Sequence, residues 1–267
     1  MIDNKLCEIN TDVAKQVCDF VDKAKPQEES VTDYFLYRLK EANKQFYYIN
    51  IKQFTKKVEA TNGADYELEL WLVGSTKSIP LLIQAKQLYK DINYCDAINY
   101  PKKTTGQINK LINFSKRHKK LPFYMFYAIP DDKTSTMCGG SPCGIAENKD
   151  SCCLFLSDAF GVKTMADNCK SLSSKVSKND ILAKSNPFTC LFCCPLSSRE
   201  ITDYLRSYYS SCNEIIDTVE VSSDNLPQYV KLIMNDEFNE ENAERNIKEF
   251  GLKSIKNIAI MKLDNDE

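Results

Sequence analysis

Two neighbouring segments in the first third of the chain constrain its fold more than any other feature. Acidic and apolar residues alternate over residues 66–73, with a period of two that indicates a half-buried strand. A polar connection over residues 74–78 leads to a continuous apolar run at residues 80–83, which is typical of a buried strand. Because the connection is short, these segments predict a hairpin.

Polar side chains mark one end of this hairpin. Asp65 precedes the first strand, whereas Gln84 and Lys86 follow the apolar run and share one face of the second strand. If the two polar faces coincide, these three side chains meet at one edge of the sheet. A carboxylate and an amide oxygen suit Mg²⁺ or Mn²⁺, and a lysine can orient a bound water or stabilise developing negative charge.

The spacing of Asp65 and Gln84-Ala85-Lys86 resembles the core motif of the PD-(D/E)XK nuclease superfamily. That motif is an acidic residue, a hairpin-length spacer and then Glu/Gln-x-Lys. This chain departs from it at two positions. Ala64 stands in place of the name-giving proline, and Gln84 replaces the more common acid, which removes one negative charge. The resemblance implies hydrolysis of phosphodiester bonds, with Asp65 and Gln84 holding Mg²⁺ or Mn²⁺ and Lys86 assisting.

The superfamily has a helix before these strands that brings another acid to the site. Residues 27–40 predict that helix, with Ser30 and Asp33 as its N-terminal capping pair. Glu29 is the first choice for the additional catalytic acid, and Glu28 is the reserve. Both glutamates are equally well explained by the favourable electrostatics of a helix N-terminus.

A helix and a further strand are expected after the lysine. Residues 104–117 predict an amphipathic helix that carries Gln107, and residues 121–128 predict an aromatic strand. With a strand at residues 47–54, this order matches the restriction-endonuclease-like αβββαβ core. The resemblance, which covers about residues 28–130, therefore implies an α/β fold with a mixed central sheet.

The other acids of the first strand have a plainer interpretation. Glu67 and Glu69 fit the solvated face of an edge strand, although Glu67 can also help to bind the metal. On composition alone, Asp65 and Lys86 fit ordinary exposed positions better than they fit a catalytic metal site. The ordered elements on both sides are what favours the nuclease-type site.

Local charge identifies a candidate nucleic-acid surface that the overall charge hides. The net charge of −2 gives no global basic field, but residues 101–120 contain seven Lys or Arg and no Asp or Glu. Such side chains suit phosphate contacts, and a solvated helix face fits equally well. The candidate DNA-binding residues are Lys102, Lys103, Gln107, Lys110, Lys116 and Arg117, with Lys119 and Lys120 beside them. The neighbouring Tyr89, Tyr94 and Tyr100 fit core packing better than a nucleic-acid channel.

Twelve cysteines form the second unusual feature of the chain. Close pairs separated by a longer stretch suit a tetrahedral thiolate site. One interpretation is therefore a structural zinc ion held by Cys138, Cys143, Cys190 and Cys193. Burial as small apolar side chains is the other, and it is the expectation for Cys7. A buried strand is expected around residues 191–192, which weakens the zinc interpretation.

Length and composition allow one large domain or two smaller ones, and the 43% hydrophobic content is sufficient for a core. We expect a nuclease-like core with N-terminal helices at residues 1–130. Residues 131–267 would form a cysteine-containing α+β extension packed on it. No apolar run has the length of a membrane span, and the N-terminus lacks the apolar core of a signal peptide. A cytoplasmic location without a membrane partner is therefore expected, whereas the oligomeric state is not set by the sequence.

The expected function is a nuclease that acts on DNA with Mg²⁺ or Mn²⁺. A role in defence or in mobile elements is an analogy with the superfamily. The alternative, kept open by Gln84, is a non-catalytic nuclease-like module, zinc-stabilised or not, that binds nucleic acid or a protein. Catalysis requires the metal, whereas binding through a basic helix persists in chelator.

Overall fold

The computed structural model describes residues 4–44, 48–54, 66–89, 92–95, 98, 106–131, 134–137, 153–168, 176–194, 200–239, 243–250 and 252–263. Its helices are α1 (Asn4–Ala24), α2 (Glu28–Asn43), α3 (Gln107–Arg117), α4 (Ala159–Asn168), α5 (Lys178–Ala183), α6 (Cys190–Cys193), α7 (Ile201–Tyr208), α8 (Asn213–Val219), α9 (Gln228–Met234) and α10 (Ala243–Glu249). Its strands are β1 (Ile49–Gln53), β2 (Tyr66–Val73), β3 (Lys77–Leu88), β4 (Tyr94–Cys95), β5 (Leu121–Ala128), β6 (Leu154–Asp158), β7 (Val176–Ser177), β8 (Asn186–Pro187), β9 (Val221–Ser222) and β10 (Ile255–Lys262).

A mixed sheet forms the centre of this α/β structure. Its strand order is β1-β10-β2-β3-β5-β6-β8, and β9 pairs with the beginning of β3. The pairs β10–β2 and β3–β5 are parallel, whereas the other pairs along this order are antiparallel. Strands from both halves of the sequence therefore belong to one sheet.

The expected hairpin is confirmed, but its first strand is buried on both faces. β2 and β3 pair antiparallel from Val73↔Ser78 to Leu68↔Ile83. Every residue of β2 is buried, including its acids, because β2 lies inside the sheet and helices pack on both faces of that sheet. The alternation of charged and apolar residues therefore does not mark a solvated face in this strand.

The position of β1 differs from a simple three-strand meander. β10 lies between β1 and β2, parallel to β2 from Ile255↔Tyr66 to Lys262↔Val73. A parallel pairing joins segments that are distant in sequence through a long crossover, so no local pattern reports it. The order of elements along the chain is as expected, and it does not by itself give their order across the sheet.

Helices cover both faces of the sheet. One core cluster joins α1 and α2 to alternate residues of β3, such as Ile79, Leu81 and Ile83. The other joins α3, α4 and α9 to the opposite face, which includes Leu82. This two-sided burial explains the continuous apolar run of β3.

No helix among the described residues is both long enough and apolar enough to span a bilayer.

Two local expectations are wrong. Helix α2 begins at Glu28, with Gln27 as its N-cap, so Ser30 is already inside the helix. Residues 190–193 form a short helix instead of a buried strand. The earlier start of α2 matters for function because it places both Glu28 and Glu29 in the first helical turn.

Candidate functional site

The carboxyl end of β3, residues 84–88, is where the predicted site residues Gln84 and Lys86 lie. Among the described residues, the β2–β3 ladder ends at Leu68↔Ile83, whereas the β3–β5 ladder continues to Leu88↔Ala128. β3 therefore extends beyond β2 at this end. Asp65, the residue before β2, lies outside the described residues.

The first turn of α2 supplies an acid to this strand end. Glu28 accepts a hydrogen bond from the backbone N–H of Gln87, with 2.9 Å between Oε2 and N. Its other oxygen, Oε1, lies 3.9 Å from Nζ of Lys86. Glu28 thus satisfies a backbone donor of β3 and holds a partner charge beside Lys86, whose side chain is partly exposed.

Gln84 contains an unsatisfied buried oxygen. Its side chain is buried, and its Nε2 approaches the carbonyl oxygen of Ala85 at 3.4 Å. Its Oε1 has no hydrogen-bond partner within the described part of the chain. The Oη of Tyr124, the residue paired with Gln84 on β5, is also buried without a partner there. An unsatisfied buried polar atom costs about 1–3 kcal/mol, so a metal ion or a water bonded to Gln84 Oε1 would remove that cost.

A second ion-pair group lies beside α2, at the beginning of β2. Nζ of Lys256 on β10 donates to Oε1 of Glu67 at 2.9 Å and to Oε1 of Glu29 at 3.2 Å. Glu67 is buried, whereas Glu29 is exposed. Glu28, the reserve choice, therefore contacts the carboxyl end of β3, while the first choice Glu29 contacts Lys256.

Burial shifts the pKa values of the charged side chains in both of these groups. It raises the pKa of Glu28 above the ordinary carboxyl value, against the opposing charge of Lys86. It raises the pKa of Glu67 in the same way, against the hydrogen bond and charge of Lys256. Burial alone would lower the pKa of Lys256, but its bonds to Glu67 and Glu29 outweigh that effect and raise the pKa to about 12. The lysine therefore stays charged at neutral pH.

The expectation that Glu69 is solvated is wrong. Glu69 is 0% exposed and lies on the α9 side of the sheet. Its Oε1 accepts from Nε1 of Trp71 at 2.6 Å and from Oη of Tyr229, and its Oε2 accepts from Nζ of Lys120. Lys120 is itself 6% exposed, so it cannot contact a phosphate as the basic segment suggested. These four side chains form a closed buried network separate from the strand end.

Helix α3 carries the described members of the predicted nucleic-acid surface. Lys110, Lys116 and Arg117 are exposed, and Gln107 is partly buried at the first turn. The Phe114 ring lies 4.8 Å from the Tyr66 ring, between centroids, which ties α3 to the beginning of β2. Lys102 and Lys103 lie outside the described residues.

The zinc quartet is not assembled as expected. Cys193 forms a disulfide with Cys7 on α1, and a sulfur in a disulfide is not available as a thiolate ligand. Cys190 is buried, and Cys138 and Cys143 lie outside the described residues. Among the residues that the structure does describe, no three His, Cys, Asp or Glu side chains converge as a metal site.

Two groups that contact the acids of α2 and β2 were not predicted from the sequence. Lys256 follows Glu67 by 189 residues, and no local pattern connects them. The donor that fixes Glu28 is a backbone N–H of β3, which no side-chain motif reports. Only the pairing of β10 with β2 would have identified Lys256.

The fold and the strand end define an α/β protein with a mixed sheet and a lysine-bearing polar group at the end of a central strand. The chain belongs to a family of unknown function, DUF6615, whose model matches residues 6–266. The match includes β10 as well as the β2–β3 hairpin, so the family unit comprises the whole sheet. Comparisons with curated proteins and with solved structures find no match.

Proposed function

We propose that the chain is a metal-dependent nuclease of the PD-(D/E)XK type that hydrolyses phosphodiester bonds in DNA. The observation that carries this proposal is the contact of Glu28 with Lys86 and with the backbone of Gln87, at the strand end that also carries Gln84. A Gln-x-Lys strand end with an acid from the preceding helix is the arrangement that the sequence motif predicts. The finer fold assignment, a restriction-endonuclease-like core with β10 inserted beside β2, belongs to the same proposal.

Gln84 and Asp65 are the residues that would hold Mg²⁺ or Mn²⁺. The Oε1 of Gln84, which has no hydrogen-bond partner among the described residues, is a hard oxygen ligand in a buried position. When bound, the ion would stabilise charge on the phosphate and lower the pKa of a coordinated water. Glu67 is less suited to this role, because Lys256 already neutralises it.

Lys86 would act on the reacting phosphate or on the attacking water. Its ammonium group lies at a partly exposed strand end, 3.9 Å from Glu28, so it is accessible yet restrained. A cation held in place stabilises negative charge that develops in the transition state. Glu28 would position Lys86 while its second oxygen anchors α2 to β3.

The exposed basic side chains of α3 would bind the phosphates of the substrate. Such contacts position a nucleic acid without reading its sequence. The Phe114–Tyr66 contact connects this helix to the residue that follows Asp65. Binding through α3 would therefore bring the phosphate backbone toward the site.

The test is cleavage of plasmid, single-stranded DNA and RNA with Mg²⁺, Mn²⁺ or chelator. The variants are Lys86→Ala and, as a matched control, Lys77→Ala, since Lys77 lies at the opposite end of the same strand and pairs with Glu220. We expect metal-dependent cleavage that falls at least about 100-fold in Lys86→Ala and is retained in Lys77→Ala. Circular dichroism and thermal unfolding check that both variants fold.

Cleavage by Lys86→Ala at the wild-type rate would remove Lys86 from the site. A folded wild-type protein that binds DNA in chelator but cleaves no substrate with metal would favour the non-catalytic binding module instead.

A further inference from the structure

Exposed apolar side chains are concentrated just after the carboxyl end of β3. Among the described residues, four large apolar side chains are strongly exposed, and three of them follow β3: Tyr89 (50%), Ile92 (38%) and Tyr94 (37%). The fourth, Tyr37 (51%), lies on α2. The expectation that Tyr89 and Tyr94 pack in the core is therefore wrong, and a reason for their exposure is needed.

The chain presents these rings on a fixed backbone. The backbone N–H of Ile92 donates to the carbonyl oxygen of Tyr89 at 3.2 Å. Tyr94 pairs with Ser177 in the β4–β7 ladder, and the N–H of Lys178 donates to the carbonyl oxygen of Asn93 at 2.9 Å. A ring on an anchored backbone loses little conformational entropy when a ligand stacks on it.

Tyr89 is also close to the proposed reaction site along the chain. It follows Lys86 by three residues, a separation of at most about 10 Å. A nucleic-acid strand whose phosphate lies at Lys86 would thus have a neighbouring base within reach of the Tyr89 ring. Every base has a π face, so stacking on tyrosine tolerates any sequence.

We propose that Tyr89 and Tyr94 form a stacking platform for unpaired bases, and that the substrate is single-stranded nucleic acid. This inference rests on the proposed function, because the nuclease site is what places a phosphate beside the platform. A duplex does not fit the platform, since its base faces are already stacked inside the helix. The basic face of α3 would bind single-stranded and duplex nucleic acid alike. The two tyrosines would therefore provide the preference for a single strand.

Binding of labelled oligonucleotides in chelator, measured by fluorescence anisotropy, tests the platform without cleavage. A single strand and its duplex are compared for wild type, Tyr89→Ala, Tyr89→Phe and Tyr37→Ala. Tyr37 is the matched control because its exposed fraction equals that of Tyr89 within one per cent. We expect Tyr89→Ala to weaken single-strand binding about 5- to 100-fold, with duplex binding unchanged. Tyr89→Phe and Tyr37→Ala should retain single-strand affinity.

Unchanged single-strand affinity in Tyr89→Ala would overturn the platform, and so would an equal loss on single strand and duplex. A wild type that binds no single strand would overturn it as well. The proposed function fails separately. A preference for single strands that depends on Tyr89, without metal-dependent cleavage, would support the platform and contradict the nuclease. Cleavage that depends on Lys86 but is unchanged in Tyr89→Ala would support the nuclease and contradict the platform.

Discussion

Single residues in this chain show how burial decides what a charged side chain does. Glu67 and Glu69 look equivalent in the alternating sequence of β2. Glu69 closes a buried network with Lys120, Trp71 and Tyr229, whereas Glu67 pairs with Lys256 beside α2. Their partners come from distant segments, so the sequence of β2 alone could not distinguish the two roles.

The Glu69–Lys120 pair should be strongly coupled. Lys120→Met leaves a buried carboxylate without its cation, so we expect a loss of about 3–5 kcal/mol in the free energy of unfolding. Adding Glu69→Gln should restore part of that loss, because no buried charge then remains and the amide oxygen still accepts from Trp71 and Tyr229. Urea unfolding at neutral pH measures both. Additive effects of the two substitutions on the free energy of unfolding would contradict a coupled network. The control is Lys23→Met, which removes an exposed ion pair and should change the free energy of unfolding little.

The raised pKa of Glu67 predicts a pH dependence of stability. Between the ordinary value of 4.5 and the raised value, the folded chain binds more protons than the unfolded chain. The free energy of unfolding contributed by this group therefore rises as the pH falls through that interval. In chelator, the gain in stability from neutral to mildly acidic pH should be larger for wild type than for Glu67→Gln. Glu8→Gln, an exposed change on α1, should behave like wild type. An equal gain in Glu67→Gln would contradict the burial effect.

At the scale of elements, local patterns predicted the strands and helices better than their neighbours in space. The β2–β3 hairpin, α3 and β5 are confirmed close to their expected bounds, because apolar periodicity and short connections are local properties. The place of β10 between β1 and β2 was not predicted, because a parallel pairing across most of the chain leaves no local signal.

The central position of β10 predicts that the N-terminal half does not fold alone. Without β10, one edge of β2 would expose unpaired backbone groups and apolar side chains. We therefore expect a fragment of residues 1–130 to aggregate or to lack cooperative unfolding, and a chain ending at residue 253 to do the same. A chain ending at residue 263 keeps β10 and should unfold cooperatively. Cooperative unfolding of residues 1–130, measured by circular dichroism, would contradict this view of the sheet.

In the molecule as a whole, a disulfide joins the N-terminal helix to a helix in the second half of the sequence. The Cys7–Cys193 disulfide connects α1 to α6 across 186 residues. Cysteine spacing left zinc binding and apolar burial open for Cys193, since spacing reports close pairs and not a partner so distant in sequence. Disulfides are uncommon in a reducing cytosol. A cytoplasmic location therefore predicts free thiols at Cys7 and Cys193, whereas the structure predicts that they are bonded.

Peptide mapping of protein purified without reductant should recover Cys7 and Cys193 in one linked peptide. Because closing so long a loop constrains the unfolded chain, reduction should lower the free energy of unfolding by about 2–5 kcal/mol. The Cys7→Ser variant is the control, since reductant should not change its stability. Free thiols at both positions, together with stoichiometric zinc by elemental analysis, would replace the disulfide with the zinc interpretation.

The candidate site combines a part that the sequence could reveal with a part that it could not. Gln84 and Lys86 follow from strand periodicity and spacing, whereas the choice of Glu28 over Glu29 depends on where α2 begins. The exposed Tyr89 was assigned to the core because its neighbours in space are not encoded locally. Folding determines which of the polar residues face one another.

The proposed nuclease requires a divalent metal at the carboxyl end of β3. Anomalous diffraction from crystals soaked in Mn²⁺ tests it most directly, with crystals of Gln84→Ala as the control. We predict a Mn²⁺ peak within coordination distance of Gln84 Oε1, lost or strongly weakened in Gln84→Ala. Full Mn²⁺ occupancy at another place in the molecule, with none at Gln84, would contradict a metal site at this strand end.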